Sequence, residues 1–91
     1  MTLILFTTQA PDPLAEQLSQ YGHQVFEVLA ISEVLALAET YARGAPIIIK
    51  ADVTPENAAI IQQHYPTMHL KPNATVKDIL WELRVKDETV Q

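Results

Sequence analysis

The first apolar run, residues 2–8 (TLILFTT), shows no polar alternation. A strand with apolar residues on both sides is one buried on both faces, so this run predicts a central strand of a parallel sheet. Polar residues follow, and Asp12-Pro13 predicts a helix start. The Asp side chain can accept from free first-turn amides, and Pro suits the first helical position. Leu14, Leu18 and Tyr21 then recur at four- and three-residue spacing as one apolar stripe. Gly22 falls where a helix end favours a left-handed residue.

The same alternation continues. Residues 24–29 (QVFEVL) predict a second strand, and Ser32 is a candidate cap for a second helix. Val34, Leu35, Leu37, Ala38 and Tyr41 supply that helix with a buried side, and Gly44 is its expected stop. Residues 46–51 (PIIIKA) form a third apolar strand. Thr54-Pro55 repeats the cap-plus-proline start, and Ala58, Ile61 and Tyr65 line the third helix before Pro66 ends it. Residues 67–70 (TMHL) make a short fourth strand. Thr75 and Asp78 have capping-box spacing, and Val76, Ile79, Leu80 and Leu83 form the last stripe.

Four strands, each followed by a helix, imply a three-layer α/β fold. The expected architecture is a four-stranded parallel sheet, (βα)4, flavodoxin-like, in strand order 2-1-3-4. One domain spans residues 1–85, and residues 86–91 are expected to form a polar, frayed tail. The functional edge of such a sheet lies at the carboxyl ends of its strands. Those ends are residues 7–11, 29–31, 50–53 and 71–74.

Composition narrows the function classes. The chain has 91 residues, 48% of them hydrophobic and 19% charged, a balance that suits a small globular domain. With no cysteine, it has neither disulfides nor thiolate metal sites. No apolar run reaches the roughly 18 residues of a membrane span, and the opening residues lack the features of a signal peptide. The expected location is therefore the cytoplasm. A net charge of −5 argues against nucleic acid and anionic membranes as partners. Acids outnumber bases five to one over the first 45 residues, where Arg43 is the only base.

Enzymatic motifs are missing. With only Gly22 and Gly44, both at helix ends, the chain can build neither a phosphate-binding loop nor a dinucleotide fingerprint. His23, His64 and His69 lack metal-site spacing. No nucleophile, acid and base are grouped, so no enzyme activity, metal or other cofactor is expected.

The strand ending in Lys71-Pro72, followed by Asn-Ala-Thr and an amphipathic helix, resembles the last strand–helix unit of response-regulator receiver (CheY-like) domains. Residues 46–56 (PIIIKADVTPE) also resemble that family's fourth strand and the start of its fourth helix. The resemblance implies that Lys71 would sense a phosphoryl group and that the Lys71–Pro72 peptide would be cis. Asp52 is the candidate phosphoacceptor if the third strand matches the family's third. If it matches the family's fourth, which the spacing from Pro46 to Lys71 favours, the acceptor-bearing unit is missing. Receiver domains have five units, and they hold Mg²⁺ with two acids after the first strand. Here Thr7, Thr8 and Gln9 occupy that place, and a hard cation wants carboxylate oxygens. The chain therefore resembles a degenerate, shortened receiver domain of bacterial signalling.

Trp81 stands apart from these patterns. At 100° per residue, Ile79, Leu80 and Leu83 lie within about 60° of Val76, whereas Trp81 lies near 140°. A Trp off the buried stripe points to a contact surface. The expected function is a non-catalytic, receiver-like protein-interaction module, a homodimer or a binder of another protein, with Leu80, Trp81 and Arg84 at the contact. The alternatives are a minimal phosphoacceptor using Asp52 and Lys71, and a small-molecule-binding domain. The first strand–helix–strand segment also looks like the opening of some nucleotide-sugar glycosyltransferases.

Overall fold

A computed structural model describes residues 2–41 and 45–90 of the chain, with side chains described through Arg84. Its elements alternate strictly: β1 (Thr2–Phe6), α1 (Pro13–Gln20), β2 (Gln24–Val28), α2 (Ile31–Thr40), β3 (Ile47–Ile49), α3 (Pro55–Gln62), β4 (Thr67–His69) and α4 (Val76–Val90). All strand pairs are parallel, in the order β2-β1-β3-β4. This is the predicted (βα)4 arrangement with the predicted strand order.

The central strands are apolar throughout because helices cover both sheet faces. From β1, Ile4 and Phe6 join Ile47, Ile49, Val34, Ala38, Ala58 and Ile61 beneath α2 and α3. Leu3 and Leu5 point the other way, to Ile48, Met68, Leu14, Leu18, Ile79 and Leu83 beneath α1 and α4. The period-2 alternation of a strand thus feeds two separate cores from one sheet.

Local chemistry sets several helix ends. Asp12 caps α1 by accepting from the Leu14 amide at 2.8 Å, with Pro13 at the first helical position. Gly22, at φ 88°, closes α1: its amide donates to the Ser19 carbonyl at 3.0 Å, and the His23 amide donates to Leu18 at 3.3 Å. This is the paired hydrogen bonding of a Schellman stop. Thr54 caps α3 by accepting from the Asn57 amide at 3.3 Å. Ahead of α4, the Thr75 amide donates to the Asp78 carboxylate at 2.9 Å, half of a capping box.

Several boundaries differ from the sequence reading. The cap of α2 is Ala30, without a side-chain bond, and Ser32 lies inside the helix. Ile31 packs against the core, which starts the helix before Ser32 can cap it. Tyr21 caps the end of α1 and is exposed, because the chain turns away before its ring reaches the core. α4 runs on through residues 86–90, where a tail was expected. Lys and Glu in that segment propagate a helix without needing a core. The stop assigned to Gly44 lies outside the described residues.

Two substitutions should separate backbone strain from packing. Space around Gly22 is open, so Gly22→Ala adds only the strain of its positive φ and should cost roughly 1 kcal/mol. Ile79→Ala removes a fully buried side chain and should cost about 3 kcal/mol. Urea unfolding monitored by circular dichroism measures both.

Candidate functional site

In a sheet ordered 2-1-3-4, the direction in which successive strands are added reverses between β1 and β3, and ligands of such folds bind where those two strands end. β1 leads into Thr7, Thr8 and Gln9, and β3 leads into Lys50, Ala51 and Asp52. Thr7 is fully buried; its amide donates to the Val28 carbonyl at 3.1 Å, and its hydroxyl contacts the Gln9 backbone. Its amide therefore extends the β1–β2 pairing and its hydroxyl serves the loop.

Two side-chain bonds cross this crevice. Lys50 Nζ meets Asp12 Oδ2 at 3.0 Å. Thr8 Oγ1 donates to Asp52 Oδ2 at 2.5 Å. Asp12 is buried and its other oxygen caps α1, while its own amide donates to Glu27 Oε2 at 2.8 Å. One carboxylate thus joins the loop after β1, the start of α1 and the loop after β3. The Lys50 pair is largely shielded from water, which makes it the stronger of the two links.

Lys50 and Asp52 lie two residues apart, a spacing at which two opposite charges can form a solvated pair. The structure instead sends Lys50 to Asp12, and Asp52 takes its hydrogen bond from Thr8. Asp52 is exposed at the carboxyl end of β3, the region expected of it, but it does not meet Lys71. The Lys71 side chain is exposed and makes no hydrogen bond or ion pair with a described residue. The expected cis Lys71–Pro72 peptide is also corrected, since the cis bond among the described residues is Ala10–Pro11. The Ala74 amide donates to the Lys71 carbonyl at 3.0 Å, which puts Pro72 at the second position of a β-turn. A trans proline belongs there, whereas a cis proline takes the third position.

Lys71 lies in an open groove of about 360 Å³ with His69, Asn73, Asp78, Trp81 and Glu82. Trp81 is 64% exposed, the most exposed large hydrophobic side chain among the described residues. Leu80 is half-buried and packs against the core, so it contributes to both core and surface. Arg84 is exposed and already engaged within the chain. A second groove of about 320 Å³ beside α1 is rimmed by Asp12, Glu16 and Glu27, a lining that disfavours anionic ligands. His64 and His69 are exposed, and His23 is half-buried with Nδ1 unpaired. Among the described residues, no three His, Asp or Glu side chains converge on a point that could hold a metal ion.

Sequence reading missed both cross-links, since each joins residues about 40 positions apart. The available signal was that Lys50 is the one cation at the carboxyl end of β1 or β3. Lys50→Met should destabilise the fold by about 1–2 kcal/mol, because Asp12 stays buried without its partner. Thr8→Val, at an exposed bond, should cost no more than about 0.5 kcal/mol. Urea unfolding of the two variants checks this order. No family model, curated protein or solved structure matches this chain.

Proposed function

We propose that this domain is a non-catalytic, receiver-like protein-interaction module of signalling or regulation, and that it self-associates through the exposed face of α4. The supporting observation is a contrast between two surfaces. The crevice between the ends of β1 and β3 is spanned by Lys50–Asp12 and Thr8–Asp52, so a ligand there must first break protein–protein bonds. The face of α4 presents Trp81 with 64% of its surface exposed. Trp supplies large contact area at little entropic cost and is enriched at energetic centres of interfaces.

Phosphoryl chemistry fits the geometry less well. Such chemistry needs an acceptor, a charge-stabilising cation and a metal or its equivalent gathered about one point. Asp52 is bonded to Thr8, Lys50 is bonded to Asp12, and Lys71 opens into the α4 groove.

Sedimentation equilibrium of the whole chain over a range of concentrations tests this reading. The expected species is a dimer whose dissociation constant rises on the order of thirtyfold in Trp81→Ala, with the circular dichroism melt unchanged. Association indifferent to Trp81→Ala, or a monomer at every concentration, would overturn it.

A further inference from the structure

The exposed face of α4 is divided by charge. At 100° per residue and with Trp81 as origin, Lys77 and Arg84 lie about 40° and 60° to one side. Asp78 and Glu82 lie about 60° and 100° to the other. All four are exposed, and the groove beside β4 opens on the acidic flank. Lys77 and Glu82 form no ion pair among the described residues. Asp78 is partly committed to Thr75, and Arg84 is engaged within its own chain. The charges of Lys77 and Glu82 are thus the ones most available to a neighbour.

This division selects between two ways of pairing the helix with a copy of itself. A two-fold axis perpendicular to α4 makes the helices antiparallel and sets each flank against the same flank of the partner. Lys77 then faces the partner's basic flank, and Glu82 faces its acidic flank. A two-fold axis along α4 makes the helices parallel and exchanges the flanks, so that basic meets acidic on both sides of Trp81. Like charges placed opposite one another oppose association, and complementary ones specify it.

We propose that the partner at Trp81 is a second copy of this chain, docked with its last helix parallel to the first about a two-fold axis near Trp81. The Lys77 and Arg84 flank of each copy meets the Asp78 and Glu82 flank of the other, and Trp81 enters the groove beside the neighbour's Lys71. The inference rests on the self-association proposed above and adds its direction and its charge pairing. A closed two-fold contact also ends at two subunits, so exposed Trp81 does not propagate into a filament.

Charge reversal read by sedimentation equilibrium at low salt tests the arrangement. Lys77→Glu alone and Glu82→Lys alone should each weaken the dimer about tenfold, since every reversal acts at two symmetry-related positions. Combining both in one chain should restore affinity to within about threefold of the starting protein. Mixing the two single variants should give a heterodimer tighter than either homodimer. A Lys77→Glu dimer that is tighter than the original means antiparallel helices and overturns the proposal. So does a dimer that depends on Trp81 but ignores both reversals. A dimer indifferent to Trp81→Ala instead removes the self-association reading beneath it. All three reversal variants keep the buried stripe of α4, and circular dichroism verifies that each is folded.

Discussion

Every other feature depends on covering both faces of β1. Leu3, Ile4 and Leu5 are fully excluded from solvent and Phe6 nearly so, with alternate side chains entering opposite cores. A strand buried on both faces needs two helical layers, and parallel neighbours need crossovers long enough to supply them. The strict β–α alternation follows from that demand. In a chain of 91 residues, four units meet it with few residues to spare.

The same topology brings the loops after β1 and β3 side by side, since these strands are neighbours although they are not consecutive. Folds of this kind normally keep a ligand crevice there. In this chain the crevice is occupied by its own polar groups. A buried Asp12 is useful as a helix cap only when its charge is matched, and Lys50 supplies the match across the sheet. The cation that satisfies the fold is thereby withheld from any ligand. A large exposed apolar side chain lies instead on the outer face of α4, where the buried stripe ends and Trp81 begins.

Much of the fold was legible because burial on both faces writes long apolar runs, and because Asp12-Pro13, Thr54-Pro55 and Gly22 mark helix ends by local chemistry. Where an end is set by packing, as at Ile31, local chemistry misleads, and Ser32 was taken for a cap it does not make. The exposure of Trp81 was legible for the same reason as the core, since helical periodicity assigns each residue an angle. The crevice cross-links were not. Thr8 and Asp52 are 44 residues apart, and nothing near either residue names its partner. The resemblance of Lys71-Pro72 to receiver domains pointed toward a phosphoryl site; the structure places Lys71 in a turn closed by the Ala74 amide and in the groove beside α4.

The crevice between β1 and β3 is spanned by the chain's own side chains, and we propose that it performs no phosphoryl chemistry. An amide NMR titration with Mg²⁺ and beryllofluoride tests it most directly. The account predicts no saturable shifts at Thr8, Lys50, Asp52 or Lys71. Shifts that saturate together at Asp52 and Lys71 would contradict it and establish a working phosphoacceptor.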